Sequence, residues 1–281
     1  MSVPPAEPSV LPHSATLPAT LRWWLRAPWD YVAMTLGLSY WAVFGLLFTL
    51  LSVPLNLILS RKTGERVGRL MIHWAFRNFV IYLKLSRLVD ADLRALDQLK
   101  NLGHPFTLAP NHTSLWDVVF VIARLPFAVC VMKESILNNV FLGGGARLAG
   151  YIPNGSTTRM IRDVTVALGE GGQLLLFPEG TRTRREARWI NPFKGGCAII
   201  ASRANVPVIP VFIRSDSRFT EKGWPLWKRP VFPITIEFEL GEMQTVRPGE
   251  SVQEFTVRLE ELFTRELSRP HPLRREMIPG D

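Results

Sequence analysis

From Tyr31 to Ser60 the chain carries no charged residue, and this thirty-position run limits the folds open to it more than any other feature. A helix over Tyr31–Val53, the part before Pro54, would be about 35 Å long, enough for the ~30 Å hydrocarbon layer of a bilayer. The residues before it, Leu21–Tyr31, interleave Trp23, Trp24 and Trp29 with Arg22 and Arg26. Rings with basic neighbours suit a membrane–water boundary. Directly after the run come Arg61, Lys62, Arg66 and Arg69. This basic excess predicts that the rest of the chain faces the cytoplasm, at an inner membrane. Two forms stay open. The run can span the bilayer, or it can bend at Pro54 and return within one leaflet, with Leu70–Leu85 as a second helix.

Residues 1–20 contain Pro4, Pro5, Pro8, Pro12 and Pro18, and Glu7 is their one charge. Without a basic start they do not read as a secretory signal, and a disordered tail is expected. Residues 21–90 are then expected to hold the membrane-anchoring helices and residues 91–281 the main domain.

From residue 91 the texture changes to short apolar runs alternating with helical stripes. Strands are expected at Phe106–Pro110, Phe127–Met132, Gln173–Phe177, Val208–Ile213 and Ile234–Leu240. Helices are expected at Leu115–Arg124, Ser135–Leu148, Thr157–Leu168, Gly195–Ala204 and Ser251–Ser268. Such alternation implies an α/β fold with a largely parallel central sheet flanked by helices.

Lys and Arg total 33 against 24 Asp and Glu, a net charge of +9. An excess of this size points to an anionic partner. The two cysteines, Cys130 and Cys197, rule out a disulfide scaffold and fit a reducing compartment. Mean hydropathy is +0.11, too polar for a multi-spanning transporter. There is no GxxxxGK[ST], GxSxG, HExxH or CxxC, and Gly143–Gly145 open no dinucleotide fingerprint. No metal site and no bound cofactor are expected, and no nucleic-acid motif accompanies the charge.

His112 follows the strand Phe106–Pro110, at the sheet edge where open α/β folds bind ligands. Asp117 stands in the first turn of the next helix. Folding back, its carboxylate can accept from one ring nitrogen and leave the other free as a base. A second group, FPEGTR at Phe177–Arg182, leaves another strand and can face His112. Gly180 permits close backbone approach, Thr181 offers a hydroxyl, and Arg182 offers a fork suited to phosphate. Glu179 is open to two uses: ordering Arg182 or binding an acceptor hydroxyl. Arg184, Arg185, Arg188 and Lys194 extend the basic loop, which suits lipid head groups or an acidic carrier protein. Cys130 and Cys197 fall in apolar patterns and read as packing residues.

NHTSLWD (Asn111–Asp117) and FPEGTR, in that order, resemble the glycerolipid acyltransferases of the 1-acylglycerol-3-phosphate acyltransferase family. FKGG (Phe193–Gly196) and VPVIPV (Val206–Val211) are similar to further blocks of that family, and the resemblance covers roughly residues 85 to 240. It implies a membrane-bound enzyme that moves a fatty acyl chain from acyl-CoA or an acyl carrier protein to a lysophospholipid hydroxyl. His112 would be the general base and Asp117 its orienting partner. Glu179, Gly180, Thr181, Arg182, Ser114, Lys194 and Arg159 would contact substrate, with the phosphate on Gly180–Arg182. In one block the sequence departs. Asn154, Gly155 and Ser156 stand where the family has an arginine, with Arg159 and Arg162 nearest. A lyso-lipid with another head group is therefore an alternative acceptor. A membrane module that grips anionic lipid without chemistry is the alternative function.

Overall fold

The computed structural model describes residues 19–225 and 227–273, with side chains from Leu25 onward. The tail expected over residues 1–20 lies outside them except for Ala19 and Thr20. The side chains of Arg22, Trp23 and Trp24 lie outside them too.

Helix α1, Ala19–Ile58, runs forty residues and passes through both Pro28 and Pro54. The break expected at Pro54 comes later, at Leu59–Ser60. Near the missing proline N–H, Ser52 Oγ donates to the Thr49 carbonyl at 2.7 Å and Asn56 Nδ2 to the Ser52 carbonyl at 2.8 Å. Such side-chain donors let an apolar helix continue through proline. Ser60 is extended and accepts from the Thr63 N–H, which starts α2, Arg61–Leu85, well before the expected Leu70.

One stripe of α1 is buried along its length. Tyr82 Oη donates to the Ala33 carbonyl at 2.6 Å and Tyr40 Oη to the Ala75 carbonyl at 2.9 Å. The Trp41 ring meets that of Phe79 edge-on at 4.9 Å. Further along, Phe48 and Thr49 lie so close to Gly145 and Gly144 that a Cβ on either glycine would collide with them. The opposite face, with Val32, Leu36, Val43, Leu47, Leu50 and Leu57, is exposed. At its start α1 is fixed by charge. Buried Asp30 accepts from Arg26 at 2.8 Å and from Arg229 at 2.9 Å.

Beyond α2 the elements are β1 Val89–Asp92, α3 Arg94–Asp97, a 3-10 turn at Gln98–Asn101, β2 Phe106–Pro110 and α4 Asp117–Ile122. They continue as β3 Ala128–Met132, α5 Glu134–Leu137, α6 Gly143–Leu148, β4 Ile152–Pro153, α7 Thr157–Gly169 and β5 Gln173–Leu175. The chain then forms α8 Gly196–Ala204, β6 Val208–Ser215, β7 Ile234–Leu240 and α9 Val252–Ser268. The sheet order is β1-β7-β6-β2-β5-β3-β4. All neighbours are parallel except β6 and β7, so the sheet is largely parallel, as expected. Helices α1, α2 and α4 cover one face around Phe79, Phe106 and Phe120. Helices α7, α8 and α9 cover the other around Val164, Ile200 and Phe263.

Further elements differ from expectation, among them β5, which ends at Leu175 rather than Phe177. The single helix expected over Ser135–Leu148 is two, because Asn139 Oδ1 accepts from the N–H groups of Phe141 and Leu142 and turns the chain. The helix expected over Leu115–Arg124 is confined to Asp117–Ile122. Strand β1 straddles the boundary expected between residues 90 and 91, so α2 leads into the sheet within a few residues.

The Asp30 carboxylate neutralises a guanidinium that is 2% exposed. Asp30→Ala is expected to destabilise the detergent-solubilised protein by about 3–5 kcal/mol. Thermal unfolding measures it, and a loss below about 1 kcal/mol would put the anchor of α1 elsewhere.

Candidate active site

Four neighbouring parallel strands, β2, β5, β3 and β4, end on one sheet edge, and the residues singled out above follow them. After β2, Asn111 is buried and side-chain paired to β6. Its Oδ1 accepts from the Ile213 N–H at 2.7 Å and its Nδ2 donates to the Ile213 carbonyl at 3.0 Å. This fixes the departure of the loop that carries His112.

Asp117 has no exposed surface. Its carboxylate accepts from His112 Nδ1 at 3.0 Å, the Ser114 N–H at 2.8 Å, Ser114 Oγ at 2.8 Å and Thr113 Oγ1 at 3.2 Å. A carboxylate acceptor assigns the proton to Nδ1 and leaves Nε2 with its lone pair. Nε2 has no partner among the described residues, and the His112 side chain keeps 18% exposure. The ring stacks on Phe177 with centroids 3.9 Å apart.

The loop after β5 is tied to the first by Glu179. Its carboxylate accepts from the His112 N–H at 2.8 Å, from Thr183 Oγ1 at 2.9 Å and from the Asn191 N–H at 2.8 Å. Burial pushes the Glu179 carboxyl up from its usual range, against the pull of those donors and of His112. At 1% exposure it offers no surface to a substrate. The expected substrate contact is corrected to an internal one, because the oxygens are spent on the protein's own donors. Ser114 is likewise buried and donates its hydroxyl to Asp117.

Gly180 sits at φ +65°, and a Cβ there would fall 2.8 Å from Lys194 Nζ. The exposed Lys194 chain therefore lies over the Gly180 turn. Thr181 is half-buried beside it. Arg182 donates to the Thr220 carbonyl at 2.8 Å, and burial lowers its pKa while the Asp117 carboxylate opposes the shift. Arg159 is exposed in the first turn of α7. No side-chain hydrogen bond or ion pair joins it to His112 or to the Gly180 turn among the described residues. Arg162 pairs with Asp163 instead.

Two contributors were not foreseen. Asn191 donates to the Arg182 carbonyl and accepts from the Arg184 N–H, closing the basic loop on itself. Thr220 receives both Arg182 and the Leu115 N–H through its carbonyl. Asn191 stands just before FKGG and could have been included with it. Nothing local marks Thr220. Both cysteines are buried, and their thiols are pushed up to about 12 by burial, so neither is a nucleophile at neutral pH. Among the described residues no three His, Cys, Asp or Glu side chains cluster to hold a metal.

The family model described as Acyltransferase matches residues 91–214. The match runs from within β1 nearly to the end of β6 and holds both loops. Residues 91–214 are thus similar to the Acyltransferase family. A 1-acyl-sn-glycerol-3-phosphate acyltransferase of Limnanthes douglasii is 26% identical over 222 residues, 76% of this chain and 64% of that protein. The beta form from Homo sapiens is 29% identical over 182 residues, 62% of this chain and 63% of that protein. The chain thus spans less than two thirds of the length of these relatives. The crystal structure of the 1-acyl-sn-glycerophosphate (LPA) acyltransferase PlsC from Thermotoga maritima superposes with a TM-score of 0.59. It has 20% identity and covers 88% of this chain and 96% of that one. That likeness is one of fold.

Glu179→Ala would strip the His112 and Asn191 N–H groups of their acceptor, while Thr183 Oγ1 keeps the His112 carbonyl at 3.0 Å. Each orphan costs about 1–3 kcal/mol, so a loss of at least about 2 kcal/mol is expected. Denaturant unfolding reads it, and wild-type stability would show that the two loops hold together without this carboxylate.

Proposed function

We propose that the protein is a membrane-bound O-acyltransferase that acylates a lysophospholipid from an acyl thioester, with 1-acylglycerol-3-phosphate as the acceptor and phosphatidic acid as the product. The observation that carries this reading is His112 Nδ1 held by a fully buried Asp117 while Nε2 is unpartnered. His112 Nε2 takes the proton of the acceptor hydroxyl. The oxygen then attacks the thioester carbonyl, the new ester C–O bond forms, and the C–S bond breaks. The imidazolium returns its proton to the departing thiolate, so no acyl-enzyme is needed. Asp117 keeps the ring in the required tautomer and stabilises the imidazolium. Gly180, Thr181, Arg182 and Lys194 hold the acceptor's phosphate, and Glu179 and Ser114 position the two loops. The thiol carrier is coenzyme A or an acyl carrier protein, and the basic loop suits the phosphates of one or the acidic surface of the other.

The buried stripe on α1 supports insertion in one leaflet. A helix docked along its side to a charged domain cannot at the same time be ringed by lipid. Its outer face, Val32 to Leu57, enters the bilayer, and the Acyltransferase domain faces the cytoplasm. α1 is also, by length and composition, long and apolar enough to cross a membrane. Protease protection of residues 61–281 in right-side-out vesicles tests the side.

One observation favours another acceptor. Asn154–Ser156 brings no cation to the edge, and a Cβ on Gly155 would meet the Glu134 carboxylate at 2.1 Å. An acid at that position suits a head group that is not a phosphate monoester.

His112→Ala is expected to lower acyl transfer about 10²–10⁴-fold, and Asp117→Asn to act in the same direction. The assay uses membranes, labelled acyl-CoA or acyl carrier protein, and a panel of lyso-lipids. A folded His112→Ala protein that keeps activity within about tenfold of wild type on every acceptor sinks the reading. Arg182→Ala is expected to reduce kcat/KM about 10–100-fold for phosphate-bearing acceptors, the worth of one charge-assisted bond. An equal loss on acceptors without a phosphate would move Arg182 away from the head group.

A further inference from the structure

The opposite edge of the sheet holds two adjoining cavities of about 300 and 380 Å³ that share Phe127. Gln173, at the rim of the first, opens β5 and pairs in register with Phe106 and Ala128, the first residues of β2 and β3. The strands therefore begin here and end at His112. Neither cavity belongs to the proposed acyl-transfer site.

Their walls are cationic. Arg66, Arg69, His73 and Arg77 recur on one face of α2 at helical spacing, away from Ala75, Phe79 and Tyr82, which pack on α1. Lys100 and Arg124 face His73 and Arg77 across the first cavity. The carboxylates do not balance them. Asp97 serves both Lys100 at 2.5 Å and Arg124 at 3.5 Å. Glu65 takes Arg69, and Glu170 takes Lys62. Arg77 lies over the Trp74 ring at 5.5 Å and Arg66 over the Phe127 ring at 5.6 Å. No carboxylate reaches either guanidinium among the described residues. The aromatic faces hold them in place and leave the charge in full.

The surplus is not needed to cap α4. His73 Nδ1 already meets the Ile122 carbonyl at 2.8 Å. His73 is 8% exposed and lines the first cavity, where its second ring nitrogen has no protein partner among the described residues. Such an array of guanidinium forks and an ammonium around a concave space is the chemistry of phosphate recognition, and the His73 ring is part of the wall.

We propose that the cavity lined by His73, Arg77, Lys100 and Arg124 is a second ligand site and takes a phosphate-bearing anion. The source is either a soluble phosphate compound or the head group of an anionic phospholipid. The site does not depend on the acyl-transfer reading.

The test compares wild type with Arg77→Ala/Arg124→Ala in two arms. The first measures pyrophosphate binding to the detergent-solubilised protein by calorimetry. The second measures cosedimentation with phosphatidylcholine vesicles, with and without phosphatidylglycerol. For a soluble ligand, pyrophosphate binds wild type saturably and the variant at least about tenfold more weakly. For a lipid head group, pyrophosphate does not bind, and the variant loses the extra binding that phosphatidylglycerol confers. Arg77→Gln alone carries the same comparison should the double variant not fold. Equal behaviour of wild type and variant in both arms overturns the proposal. So does pyrophosphate binding that Arg182→Ala removes and the cavity variant keeps, since that assigns the anion to the other edge.

Discussion

Glu179 is the interaction on which the site depends. One buried carboxylate collects the His112 N–H, the Thr183 hydroxyl and the Asn191 N–H, which belong to three separate stretches of chain. Without it the buried Asn191 N–H would be left unsatisfied, and the His112 N–H would have to find another acceptor. The same group explains why the two loops take up one geometry. His112 is fixed from both sides, its backbone by Glu179 and its ring by Asp117 and Phe177. The carboxyl is held against its own desolvation, since burial raises its pKa despite the donors around it. That cost is tolerated because removing the acceptor would leave the His112 and Asn191 N–H groups without one.

A second constraint comes from α1. An apolar helix this long must hide two faces of different kinds, and the structure solves the inner face by close approach. Gly37, Gly45, Gly144 and Gly145 bring backbones and rings together where any Cβ would touch or collide. The outer face stays apolar and exposed, which is costly in water and natural in lipid. Asp30, Arg26 and Arg229 close the arrangement at the start of the helix. They tie it to the segment after β6, the same segment whose Thr220 carbonyl holds Arg182. The helix and the loop beside His112 are thus linked through one short stretch of chain.

What could be read from the sequence was what local pattern encodes. Strands β2 and β7 occupy the bounds that their apolar runs mark, and the helix expected at Thr157–Leu168 gains one residue. The His112–Asp117 pair was legible because both residues stand within one loop and the helix it leads into. Glu179 was misread as a substrate contact because its partners His112 and Asn191 lie 67 and 12 positions away. Nothing near a glutamate in a turn indicates that it will be sealed. Thr220 was invisible for the same reason, since its carbonyl rather than its side chain does the binding. The helix expected at Ser135–Leu148 failed differently. Asn139 offered the backbone a competing acceptor, and the turn won.

The distribution of charge follows from the sheet's polarity. In parallel β–α units the helices start at the edge where strands end, so helix N-termini gather around His112 and helix C-termini around Gln173. Partial positive charge already favours anions at the first edge, and the Arg182–Lys194 loop adds to it. At the second edge the helix ends are partly negative, and cations there are in part neutralised by the fold itself. One arginine near α4 would suffice for that. Arg66, Arg77, Lys100 and Arg124 exceed it: Asp97 serves only Lys100 and Arg124, and the other two rest on aromatic rings that do not discharge them. Cationic side chains therefore stand both at an edge whose helix ends already attract anions and at an edge where side chains alone must do so. Neutralising side chains at the second edge removes most of its field, whereas at the first a background from the helix ends persists.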